Sequence, residues 1–260
     1  MKNKLAFTFY DWLIETGDLG VGKGLWSPLH FLFMGLLAAW LIAIWFIFKK
    51  HKQFALKFTK FTCYVMIFFR LGRMLLLMFS GKETVVQALP WHLCHIMAIV
   101  FPCFYLSNTK KFFFPILCVT FFGGILTFLF GDYYKFSVLS FLQIESLFLH
   151  FCMPTVVLGV LASGWYKVKK SDIWQVPLFL LFLACYAELG NTLVPGSNYL
   201  FLRENGLPFN LFNAHFYLTY LVLLVVITIV VVLAMELPSI KKNRDNKKFR
   251  RSVRQNLELL

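Results

Sequence analysis

Seven stretches of largely apolar sequence, at 28–48, 58–79, 88–107, 112–130, 141–164, 174–194 and 215–236, follow one another with only short connectors between them. A helix rises about 1.5 Å per residue, so about 20 apolar residues cross the hydrocarbon of a bilayer. In lipid every backbone N–H and C=O must find a partner within the protein, and helices do so unaided. The pattern therefore predicts an all-α, polytopic membrane protein: one bundle of seven transmembrane helices with no room for a soluble domain. Charged residues make up 15% of the chain and hydrophobic ones 59%, whereas soluble domains carry about 25% charged residues. The organisation expected is a single bundle over 1–236, with 1–27 as an interfacial N-terminal segment, and a basic cytoplasmic tail over 237–260.

Lysine and arginine fix the expected direction of insertion. The connector at 49–60 holds five of them, 107–111 two, 166–170 three and the tail eight. On the opposite side lie three in the N-terminal segment and Lys82, Lys135 and Arg203, one in each connector. Eighteen against six, alternating at each crossing, places the N-terminus outside and the C-terminus in the cytoplasm of a multi-pass protein of the plasma membrane. Residues 1–23 contain Asp11, Glu15 and Asp18 and lack the apolar core of a cleavable signal. The net charge of +14 is then a topology signal, and the basic tail favours anionic lipid headgroups. No nucleic-acid module accompanies the charges, so a nucleic-acid partner is not expected. The abundance of Phe and Lys points to an AT-rich, bacterial genome. The six cysteines, at 63, 94, 103, 118, 152 and 185, lie in spans, so a disulfide framework is not expected.

Within this topology the intramembrane polar residues gather in one half. Arg70 and Arg73 fall in the outer half of the second span, His92, Cys94 and His95 open the third, and Glu145 and His150 lie in the outer half of the fifth. Glu188 and Asn191 lie in the outer half of the sixth, and His215 opens the seventh. Ionisable groups avoid lipid by facing the bundle interior or a wet cavity, and they mark functional sites. The expectation is a polar chamber open toward the outer leaflet, with an apolar inner half. The segment from Pro195 to Arg203 mixes turn residues with apolar ones, as a lid folded over the chamber mouth would.

Cys94 is the candidate nucleophile. Pro90 suits a first helical turn, which would put Cys94 near a helix N-terminus, where the partial positive charge favours a thiolate. On one helix Cys94 points about 200° away from His92, so the base must come from another helix, and His150 is at comparable depth. The alternative is a buried apolar cysteine beside packing histidines. A zinc site built from His92, His95 and His150, Cys94 or Glu145 competes for the same residues, although the H-E-x-x-H spacing is absent. No G-x-S-x-G supports a serine triad. A transporter would carry polar groups through the whole thickness and internal repeats, and neither is seen.

Leu89-Pro90-Trp91-His92-Leu93-Cys94-His95, the stretch from Glu145 to Pro154 around His150, and Gly196-Ser197-Asn198-Tyr199-Leu200-Phe201-Leu202 resemble landmark segments of the transmembrane protein 164 family, including its bacterial YwaF-like members. The resemblance covers about residues 25–235 and implies a phospholipid acyltransferase whose cysteine carries the acyl group and whose histidine lies on a later helix. By motif position those roles fall on Cys94 and His150. The family is distantly similar to the androgen-induced gene membrane hydrolases, which cleave lipid esters with a threonine and a histidine. The expected function is transfer of a fatty acyl group between a phospholipid and a lysophospholipid at the outer leaflet, with no cofactor and no metal. Arg70 and Arg73 are expected to grip a headgroup phosphate, and His92, His95, Glu145, Asn191, Asn198 and His215 to bind or support. Lipid ester hydrolysis, or a non-enzymatic lipid or solute transporter or receptor, are the alternatives.

Overall fold

The computed structural model describes residues 27–81, 83–130 and 141–203. The chain divides into two units, Met1–Leu211 and Phe212–Leu260, and every described residue belongs to the first. The N-terminal segment, the expected seventh span with His215, and the basic tail lie outside the described residues. Among the described residues all regular structure is helical.

Ser27 starts α1 (Pro28–Lys50) by accepting a hydrogen bond from the His30 N–H at 3.2 Å, with Pro28 in the first turn. A capping hydroxyl followed by a residue with no N–H to lose is a strong helix start. Lys49 and Lys50 sit in the last turn, where cations complement the helix dipole. His51 ends α1 and precedes α2 (Lys52–Phe79), so a single residue separates the two helices. At 28 residues, α2 is about 42 Å long; it begins six residues ahead of the span read from hydropathy, and Lys57 and Lys60 are helical.

The segment expected at 88–107 is not one regular helix. Thr84 and Gln87 form a capping box on the single turn α3 (Val85–Ala88), the chain then breaks, and α4 (Leu93–Leu106) starts at Leu93. Pro90 lies in the break and not in the first turn of the helix. α5 (Phe113–Phe130), α6 (Phe141–Ser163) and α7 (Gln175–Leu193) agree with the expected spans to within a residue or two. Four helices (α1, α2, α6 and α7) are long and apolar enough to cross a membrane, and α4 and α5 are shorter apolar helices.

α6 is the centre of the bundle, packed against α1, α2, α4 and α5. Its most apolar window is 61% buried, against 17–33% for α1, α2 and α7. Glycine permits this closeness at two levels: a Cβ on Gly159 would collide with Thr59 of α2, and one on Gly124 would lie 2.7 Å from Pro154 Cδ and 3.2 Å from the His150 carbonyl. Small residues that let backbones approach are how helices associate in lipid, where apolar burial alone gives no drive. The outer faces carry Phe46, Phe61, Phe68 and Phe79, each more than 65% exposed, a surface suited to hydrocarbon and unsuited to water. All six cysteines are free thiols.

Candidate active site

Three helix segments converge. The last turns of α2 bring Arg70 and Arg73, the first half of α6 brings Glu145 and His150, and the start of α4 brings His92, Cys94 and His95. Arg73 Nη1 donates to Glu145 Oε2 at 2.9 Å and to the Leu142 carbonyl at 3.3 Å. The Glu145 side chain is 1% exposed and that of Arg73 14%, so this is a buried ion pair that binds α2 to α6. Arg70, one turn earlier on α2, is 3% exposed. Its guanidinium interacts electrostatically with Cys94, His92 and His95.

His92 occupies the N-cap of α4 with extended backbone, and its side chain makes no capping hydrogen bond. Cys94 is therefore the second residue of the helix, nearer the N-terminus than the sequence alone implies. His150 Nδ1 is 2.6 Å from the Ser146 carbonyl one turn back. A carbonyl only accepts, so Nδ1 carries the proton of the neutral ring and the basic lone pair lies on Nε2. Pro154 has no N–H for the His150 carbonyl, and Gly124 packs against that oxygen. His150 reaches His92 and His95 electrostatically, whereas the neighbours of Cys94 are Arg70, Glu145 and Arg73. Among the described residues Cys94 and His150 are not hydrogen-bonded to each other. No group of three or more His, Cys, Asp or Glu among them is arranged to hold a metal ion.

The roof comes from α7 and the loop after it. Asn191, 1% exposed, accepts from the Tyr199 N–H at 2.6 Å and the Ser197 hydroxyl at 3.2 Å, and donates to the Tyr199 carbonyl at 3.2 Å. These bonds seat the Tyr199 ring edge-on to His92, with centroids 4.9 Å apart. Leu200 takes a left-handed backbone (φ 58°), which turns its side chain and that of Leu202 inward until each is 5% exposed. Asn198 accepts from the Arg203 N–H at 2.9 Å, and Arg203 pairs with Glu188 at 3.0 Å on the surface. His92 and His95 stack edge to face, 5.3 Å apart.

Two contributors were not singled out from the sequence. Trp91 stacks on Tyr186 at 4.9 Å and donates to the Val86 carbonyl, and a Cβ on Gly190 would lie 2.6 Å from its ring. A Trp beside the Cys–His motif was visible, but its glycine seat 99 positions away had no local signal. Glu83, in the turn between α2 and α3, reaches both arginines. Partial burial raises its carboxyl above the ordinary range, and Arg73 and Arg70 oppose that rise. Gly190→Ala is expected to drive the Trp91 ring out of its seat and destabilise the fold by about 1–3 kcal/mol, as overpacking does. Thermal unfolding followed by tryptophan fluorescence checks this, with Gly35→Ala, where nothing lies within 4 Å of the new methyl, as the neutral control.

A family model for the TMEM164 family matches residues 25–236. No curated protein and no solved structure matches the chain. With most of its length inside the match, the chain belongs to the TMEM164 family.

Proposed function

We propose that this member of the TMEM164 family moves a fatty acyl group from a phospholipid to a lysophospholipid, with Cys94 as acyl carrier and His150 as base. The observation that carries the reading is the thiol at the second position of α4, within electrostatic reach of Arg70, Arg73 and the buried Glu145, with His150 reaching its neighbours His92 and His95. The full topology is seven spans in the plasma membrane, N-terminus outside and C-terminus in the cytoplasm, which opens the chamber to the outer leaflet. A cell-impermeant thiol reagent is then expected to label Lys4→Cys but not Lys241→Cys in intact cells, beyond the background of the parent protein.

In the first half-reaction the Cys94 proton passes to His150 Nε2 as the bound ester draws the two side chains together; such contacts are commonly longer in an empty site than in the reacting complex. The sulfur attacks the ester carbonyl carbon, and the tetrahedral intermediate collapses with cleavage of the C–O bond. The departing lysophospholipid oxygen takes the proton from His150, leaving a thioester on Cys94. In the second half the acceptor hydroxyl gives its proton to His150, its oxygen attacks the thioester carbonyl, and the sulfur leaves and recovers the proton. His92 and His95 line the approach, Asn191 and Asn198 hold the roof, and the Glu145–Arg73 pair fixes the spacing of α2 and α6.

Intact mass spectrometry of the purified protein, incubated with a phospholipid of defined chains, tests the carrier. The expected result is a mass increment of one acyl chain, removed by hydroxylamine and missing in Cys94→Ala. Absence of any adduct, with full activity of Cys94→Ala, would falsify the thioester route. Product analysis with added lysophospholipid separates transfer from hydrolysis, since transfer alone yields a new diacyl lipid.

A further inference from the structure

Arg70 and Arg73 lie one turn apart on the same face of α2, yet they are bonded differently. Arg73 donates to Glu145 and to the Leu142 carbonyl. Arg70 is 3% exposed, forms no ion pair among the described residues, and its Nε and Nη1 have no hydrogen-bond partner there. A buried guanidinium cannot escape its charge by losing a proton, so an uncompensated one calls for an anion. Glu145 is within electrostatic reach of Arg70 but pairs with Arg73. Glu83 also reaches Arg70 without forming an ion pair among the described residues.

Within electrostatic reach of Arg70 is the start of α4, a 14-residue helix whose N-cap His92 makes no side-chain capping bond. The N–H groups of its first turn are not bonded within the helix, and the positive end of its dipole lies at His92, Cys94 and His95, Arg70's electrostatic neighbours. Phosphate groups bind where N–H groups at a helix start meet a cation.

We infer that Arg70 and the first turn of α4 together hold the phosphate of a phospholipid, and that Arg73 is the structural partner of Glu145 and takes no part in gripping it. Seated there, the phosphate places the glycerol esters of the same lipid beside Cys94. The inference rests on the reading that the chamber admits a lipid; it does not require Cys94 to react.

The test uses the full chain carrying Cys94→Ser, which forms no thioester, delipidated in detergent and titrated with phosphatidylglycerol or with diacylglycerol of the same chains. Native mass spectrometry counts the adducts. The expected result is a preference for the phosphate-bearing lipid of roughly tenfold or more, lost in Arg70→Gln and largely kept in Arg70→Lys. Millimolar inorganic phosphate that raises the thermal midpoint of the Cys94→Ser protein and displaces the phospholipid assigns recognition to the phosphate itself. Phosphate without effect, with the lipid preference intact, assigns it to the phosphate within its lipid. An unchanged preference in folded Arg70→Gln overturns the inference. Should Arg70→Gln fail to fold, equal binding of the two lipids by the Cys94→Ser protein overturns it alone. Loss of the acyl adduct with the lipid preference intact counts against the thioester and leaves the phosphate site standing.

Discussion

Cys94→Ala is expected to leave a folded, membrane-inserted protein whose acyl-transfer rate falls by roughly 10³-fold or more, the scale on which a nucleophile and its base act together. Folding survives because Cys94 is only half-buried and the second position of a helix accepts alanine without a lost backbone bond. His150→Gln is expected to slow the reaction by about 10²–10⁴-fold. The Cys94→Ala, His150→Gln double variant should be no slower than the Cys94 variant, since residues acting as one unit do not add. Single-turnover kinetics on a fluorescent phospholipid reads all three. A His150 variant that acylates at the wild-type rate would move the base elsewhere, to His92 or His95, both of which His150 reaches electrostatically. Transfer that survives Cys94→Ala at wild-type rate removes the thiol from the mechanism altogether.

Glu145→Gln is expected to destabilise the bundle by about 3–5 kcal/mol, the cost of leaving a buried cation without its partner. Glu145 is almost fully enclosed and its partner Arg73 nearly so, so solvent screens the pair little. In a protein of this size the thermal midpoint should fall by roughly 10 °C, read by tryptophan fluorescence in detergent. Removing both charges, as Arg73→Met with Glu145→Gln, should recover most of the loss, because apolar replacements of a whole buried pair are often neutral. A double variant as unstable as Glu145→Gln alone would mean that the carboxylate serves another group, and Arg70 is the neighbour in reach.

The positions of the helices were legible because a bilayer imposes a length and a polarity that a single chain must satisfy locally. α1, α5, α6 and α7 begin and end within a residue or two of their hydropathic limits. The start of α4 was not legible. Pro90 reads as a first-turn residue, but Trp91 is held by the Val86 carbonyl and by the bare backbone of Gly190, and those contacts pull the chain out of helix until Leu93. The gathering of Arg70, Arg73, Glu145, Cys94 and His150 followed from burial cost alone, since ionisable groups in spans seek one another. Which arginine meets Glu145 did not follow. Three residues separate Arg70 from Arg73, and only the register between α2 and α6 decides the partner. Asn191 was visible as a polar residue in a span, yet its grip on Ser197 and Tyr199 depends on how the chain turns at Pro195 and Gly196.

Gly190 and Asn191 are consecutive on α7, and they hold different things. The first is the seat of Trp91 and so of the chain that leads into Cys94; the second latches the loop that carries Tyr199 over His92. Among the described residues α7 packs chiefly on α5 and this loop. Adjacent positions of one helix thus tie the chain that leads into α4 to the loop that covers His92, so a displacement of α7 would disturb both. On the proposed function, admission of a lipid and alignment of the thiol would then be coupled through α7.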